Sequence, residues 1–71
     1  MNKRSITIAG HRTSISLETP FWDALGEIAA RQGTSVASLV ADIDRDRPDD
    51  TNLSAALRVF ALDYYRQQQA R

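Results

Sequence analysis

The sequence contains no cysteine and a single histidine among its 71 residues. Without thiols there are no disulfides and no thiolate metal sites. His11 alone cannot assemble a zinc site. Three glycines are too few and too scattered for a glycine-rich phosphate loop. No stretch approaches the roughly 20 consecutive apolar residues of a membrane span. The opening Met1–Gly10 begins basic but has no apolar run of signal-peptide length. These absences predict a soluble, cytoplasmic protein with no cofactor, no metal and no membrane partner. Nucleophilic catalysis needs a nucleophile, a base and an orienting group, and one histidine beside a turn does not make that set. The expectation is therefore that the chain is not an enzyme.

Charge of one sign is also lacking, because nine Lys and Arg balance nine Asp and Glu. The distribution is less even than the sum. Lys3, Arg4 and Arg12 all precede the first acid, Glu18. Asp42, Asp44, Asp46, Asp49 and Asp50 crowd a later stretch against Arg45 and Arg47. A basic beginning and an acidic middle form an electrostatic signal that the net charge hides.

At this length there is room for one domain, spanning residues 1–71, and its core is small. Chains of this size gain stability from disulfides, metals or association, and only association remains open here. Oligomerisation is the expected reinforcement.

What is present is patterned. Ser5-Ile6-Thr7-Ile8 and Thr13-Ser14-Ile15-Ser16-Leu17 alternate polar with β-branched or apolar residues, as half-buried strands do. Gly10-His11 between them suits a two-residue turn with glycine in the first central position. In that register Ile8 faces Thr13 and Ile6 faces Ile15. One sheet face then carries Ile6, Ile8, Thr13, Ile15 and Leu17, and the other carries Ser5, Thr7, Arg12, Ser14 and Ser16. The competing arrangement is one strand over 12–18 preceded by a flexible arm.

Thr19-Pro20 reads as an N-cap followed by a first-turn proline. The first helix is predicted over Pro20–Gln32, with Phe21, Trp22, Leu25, Ile28 and Ala29 inward and Gly33 closing it. Ser35 is placed to cap a second helix over Val36–Arg45, whose inward stripe is Val36, Leu39, Val40 and Ile43. After the Pro48-Asp49-Asp50 loop, a third helix is predicted over Leu53–Gln69, with Asn52 or Asp50 as its cap. Residues 53–62 are apolar nearly all round, which argues burial on several sides. Gln67-Gln68-Gln69 reads as a frayed end.

Several residues admit a chemical reading beside a structural one. Asp42-Ile43-Asp44-Arg45-Asp46 resembles the opening of a calcium loop, but Arg47 and Leu53 stand where such a loop needs glycine and glutamate. A solvated acidic helix end is the better reading. Phe21 and Trp22 would suit base stacking, yet their helical position favours the core. Arg58, in the apolar part of the third helix, either is exposed or pairs with an acid from the second helix or from another subunit.

The order of strand, capped helix, Gly-x-Ser turn and helix resembles the ribbon-helix-helix superfamily. The residues that carry it are Arg12-Thr13-Ser14-Ile15-Ser16-Leu17, Gly33-Thr34-Ser35 and the helices around that turn. More narrowly, Ile8–Glu18, Phe21-Trp22-Asp23-Ala24-Leu25 and Asn52–Phe60 resemble a small bacterial subfamily of presumed DNA binders. The resemblance implies a mostly α fold with a short N-terminal β ribbon or hairpin, forming an intertwined homodimer, with an additional third helix. It implies a dimer core drawn from Ile15, Leu17, Leu25, Ile28, Leu39, Val40, Ile43, Leu57 and Phe60. In the superfamily the ribbon enters the DNA major groove. By that analogy Arg12, Ser14 and Ser16 would contact bases, while Thr34, Ser35, Lys3, Arg4 and His11 would contact phosphates.

The function this implies is a dimeric DNA-binding protein, a transcriptional regulator. The alternatives are a protein-interaction module on the same scaffold that does not bind DNA, or an antitoxin-like partner protein. The neutral charge and the hairpin favour the first of these alternatives, and residues 53–66 are too apolar for the disordered tail of an antitoxin. Strands lie about 4.8 Å apart, so a four-stranded dimer sheet would place its outermost strands roughly 14 Å apart. The major groove is about 12 Å wide.

Overall fold

The computed structural model describes residues 1–69. The single-domain span predicted to residue 71 runs past that, and its last two residues lie outside the described part. The order is β1 (Asn2–Ile8), β2 (His11–Leu17), α1 (Thr19–Arg31), α2 (Val36–Asp46) and α3 (Leu53–Gln69). The strands form an antiparallel hairpin, so the flexible-arm alternative does not hold.

The hairpin register differs from the predicted one. Ile8 pairs with His11, Ile6 with Thr13, Arg4 with Ile15 and Asn2 with Leu17. The turn is Ala9-Gly10, not Gly10-His11, and both residues have positive φ, 51° and 83°. That is the pattern of a type I′ turn, whose twist matches that of the flanking strands, with glycine second rather than first. His11 accordingly opens β2 and is not a loop residue. The displacement moves each partner by two residues, so every side chain keeps its face. The predicted division into an Ile6, Ile8, Thr13, Ile15, Leu17 face and a Ser5, Thr7, Arg12, Ser14, Ser16 face is retained. Asn2, Arg4 and His11 join the first, and Lys3 joins the second.

One core cluster unites the elements: Ile8, Ile15 and Leu17 from the sheet, Trp22, Leu25, Ile28 and Ala29 from α1, Leu39 and Val40 from α2, and Leu57 and Ala61 from α3. Removing this apolar surface from water supplies the main driving force of folding. Of the residues assigned to a dimer core, Ile15, Leu17, Leu25, Ile28, Leu39, Val40 and Leu57 are buried within the single chain, whereas Ile43 and Phe60 are half-buried at its margin.

The helix boundaries follow from their caps. Thr19 is the first helical residue and not the N-cap; Glu18 holds that position with no side-chain capping bond. Its carbonyl instead receives the amides of Phe21 and Trp22 at 2.9 and 3.3 Å. Thr19 Oγ1 accepts from Asn2 Nδ2 at 2.7 Å, so the hydroxyl serves the strand. Gly33, with φ 70°, ends α1. The amides of Thr34 and Gly33 return to the carbonyls of Ala29 and Ala30 at 2.9 and 3.2 Å, a Schellman closure. Ser35 Oγ accepts from the Ser38 amide at 3.1 Å and caps α2. Asn52 Oδ1 accepts from the Ala55 amide at 2.8 Å and caps α3. The glutamines at 67–69 form the last turn of α3.

Candidate nucleic-acid interface

The solvent face of the hairpin is built from cross-strand pairs Lys3–Ser16, Ser5–Ser14 and Thr7–Arg12. Ser16 is half-buried and the others are exposed. Every side chain on this face carries a hydroxyl or a positive charge, and none is acidic. Alternation sends the apolar members of both strands to the other side, which is why so short a sheet can present a wholly polar face.

The type I′ turn also decides which edge groups are free. Ile8 and His11 flank the turn and form a hydrogen-bonded pair, so the main-chain groups of Arg12, Ser14 and Ser16 point away from β1. The Ser16 carbonyl bears this out by accepting from Ser54 Oγ of α3 at 3.1 Å. The outer edge of β2 at Arg12 and Ser14 makes no hydrogen bond to another element among the described residues.

Trp22 ties β1 down. It is 2 % exposed, and its indole Nε1 donates to the Asn2 carbonyl at 2.9 Å. The Arg4 guanidinium lies over its ring, 4.9 Å from the centroid, a cation–π contact. The stacking platform weighed for Trp22 is thereby absent, because the ring is enclosed.

A second tie joins the end of β2 to α3. Arg58 Nε and Nη2 donate to Glu18 Oε1 and Oε2 at 2.9 and 3.3 Å, a two-pronged pair. The partner comes from the strand–helix junction of the same chain, not from α2 or another subunit. The Arg58 hydrogen bond is the main cause holding the Glu18 carboxyl below its usual range. At the far end of α2, Arg47 pairs with Asp44 at 2.8 Å and donates to the Thr51 carbonyl at 2.6 Å. Arg45 lies against Asp42 and Asp46 at 3.3 and 3.4 Å, so Asp42, Asp44 and Asp46 belong to a helix-end set of ion pairs. Among the described residues no three His, Asp or Glu side chains are grouped to hold a metal ion.

The structure thus brings Arg12, Ser14, Ser16 and Lys3 onto one surface. Arg4 and His11 belong to the opposite face, with Arg4 engaged by Trp22. Thr34 and Ser35 lie at the α1–α2 turn, where the Thr34 amide is already spent on Ala29. Ser5 and Thr7 were not singled out as site residues, although they share the polar face. The period-two alternation of residues 5–8 was the available signal.

The sequence matches the ribbon-helix-helix domain family over residues 1–65. The chain belongs to the ribbon-helix-helix family. Among solved structures, an uncharacterized protein from Bordetella pertussis Tohama I is similar over 97 % of this chain at 36 % identity, with a TM-score of 0.80. The match spans 58 % of that protein's length. No curated protein matches the sequence. Ribbon-helix-helix domains are in general a non-enzymatic, DNA-binding or regulatory type of fold, and the family generally dimerises. No helix among the described residues is long and apolar enough to cross a membrane.

Proposed function

We propose that this ribbon-helix-helix protein is a dimeric DNA-binding transcriptional regulator that reads duplex DNA with the polar face of its hairpin. The observation that supports this most directly is that face itself: Lys3 and Arg12 among hydroxyls, with no acid to repel phosphate. Two copies pair through the open outer edges of β2 into a four-stranded sheet, with Ser14 near the two-fold axis. Arg12, Ser14 and Ser16 on the central pair of strands then contact base edges; arginine pairs bidentately with guanine, and serine serves several bases. At about 4.8 Å per strand, each β1 lies roughly 7 Å from the axis, over the groove wall. Lys3 therefore meets phosphate rather than base. Thr34 and Ser35 contribute phosphate contacts at the margins, whereas Arg4 and His11, on the other face of the sheet, take no part.

Selection of duplexes from a random pool, followed by titration at increasing salt, tests the reading. Binding constants should fall linearly on a logarithmic salt scale as counterions are released. No salt-sensitive binding to any duplex would overturn it.

The clasp on β1 favours a second reading, a module that docks a protein and does not bind DNA. Because Trp22 and Thr19 both hold Asn2, the outer strand does not leave the sheet readily. Recovery of a stoichiometric protein partner together with failure of the duplex selection would favour it.

A further inference from the structure

The outer edge of β2 is not open along its whole length. Ile8 and His11 bond each other beside the turn, so Arg12, Ser14 and Ser16 direct their main-chain groups away from β1. At Ser16 that outward lane is already occupied. Its carbonyl accepts from Ser54 Oγ at 3.1 Å, and Ser54 belongs to the first turn of α3. Asn52, Leu53 and Ser54 border the groove that runs beside Thr13–Ser16. The first turn of α3 therefore stands where a paired strand would continue past Ser16. At the other end the edge stops at Ala9 and Gly10, whose positive φ takes them out of the extended conformation. Among the described residues, Arg12 and Ser14 are left with outward main-chain groups that bond no other element.

An antiparallel pair of identical strands is defined by the residue on its two-fold axis. Outward groups must meet outward groups, which excludes an axis between two residues. Centred on Arg12, two like charges stand directly opposite each other, and Ser14 faces the turn. Centred on Ser14, the Arg12 amide of each strand must displace Ser54 from the Ser16 carbonyl of the other. Centres nearer α3 drive the second strand further into its first turn. Centred on Thr13, Arg12 of each strand exchanges both main-chain hydrogen bonds with Ser14 of the other, and the Ser16–Ser54 bonds persist. The two Thr13 side chains then meet at a non-hydrogen-bonded pair, where Cα atoms approach to about 4.5 Å and threonine pairs are favourable.

We infer that Ser54 sets the register of the central ribbon and, through it, the spacing of the two arginines that read bases. This rests on the DNA-binding reading above, and it assigns to α3 a positioning role within that ribbon. Centred on Thr13, the two Arg12 Cα atoms lie about 8 Å apart, and centred on Ser14 they would lie about 14 Å apart, at about 3.4 Å per residue and 4.8 Å between strands. The difference is about two base pairs of duplex.

Disulfide trapping reads the register directly, because the chain has no cysteine of its own. A disulfide needs Cα atoms within about 7 Å. T13C should form a disulfide between copies under mild oxidation. S14C should not, because its Cα atoms lie about 8 Å apart in the Thr13-centred register. S14C/S54A frees the Ser16 carbonyl and should gain the disulfide that S14C lacks, with its circular dichroism unchanged. A change in stability alone would not exchange one disulfide for the other. A disulfide in S14C with Ser54 intact would overturn the register while leaving the ribbon standing. S14C/S54A without a disulfide would overturn the role of Ser54. If neither T13C nor S14C cross-links, the strands do not pair, and the ribbon falls together with the inference.

Discussion

Arg58 and Glu18 are 40 residues apart in sequence, yet the guanidinium of one holds both oxygens of the other's carboxylate. The pair joins the end of the hairpin to the middle of α3, and the Arg58 guanidinium also lies 6.0 Å from the Phe21 ring centroid. Because Glu18 has a lowered carboxyl pKa in the folded chain, its protonation favours unfolding. The contribution is complete above the ordinary carboxylate range and is lost as pH falls through the depressed folded value. The melting temperature of E18Q should therefore lie below that of the unaltered protein at neutral pH. The two should converge as pH drops below about 4. Parallel curves across that range would contradict the role given to the pair.

The turn makes a separate prediction. Ala9 occupies the left-handed region with a side chain that disfavours it, at a cost of about 1–2 kcal/mol. Ala9→Asn creates the Asn-Gly pair that type I′ turns prefer and should raise stability by about 1 kcal/mol. Gly10→Ala should lower it by about as much, since Gly10 also has positive φ. Urea unfolding midpoints should shift in opposite directions with unchanged slopes.

Trp22 controls how firmly β1 is held. Trp22→Phe keeps most of the buried ring but removes the donor to the Asn2 carbonyl and weakens the platform under Arg4. A loss of about 1–2 kcal/mol is expected from the missing hydrogen bond and the smaller ring. Hydrogen exchange should quicken at the β1 amides bonded to β2 before it quickens in α1. Uniform acceleration throughout the molecule would show that Trp22 is only a core filler.

On the DNA-binding reading, the two cations of the polar face have different duties. Arg12→Ala should flatten the preference among duplex sequences while leaving residual binding. Lys3→Ala should weaken all duplexes alike and reduce the salt slope by roughly one for each lysine lost from the complex. Binding to a pool of related duplexes at several salt concentrations separates these outcomes. Equal loss of sequence preference in both variants would remove the distinction between central and outer strands.

Much of this architecture is readable in short stretches. Alternation at residues 5–8 and 13–17 places two strands and sorts their faces. Gly33, Ser35 and Asn52 mark helix ends because their effects reach only a few residues along the chain. Thr19 is the instructive exception. It has the chemistry of an N-cap, but Asn2 claims its hydroxyl across the fold, and the helix begins one residue earlier than the cap predicts. Arg58 shows the same limit: nothing near it in sequence names Glu18 as its partner.

The amino-acid sequence by itself determined the order of the elements, the residues that face inward, and the acid-free polar face of the hairpin. These follow from periodicity, which is local and survives even a two-residue displacement of the strands. The Ala9-Gly10 turn sets that displacement. Only the tertiary structure decided the Glu18–Arg58 partnership, the hold of Trp22 on Asn2 and Arg4, and the exposure of Val59 and Leu62. Each depends on which distant surfaces meet, and a helix that is apolar nearly all round does not disclose which side its own chain will cover.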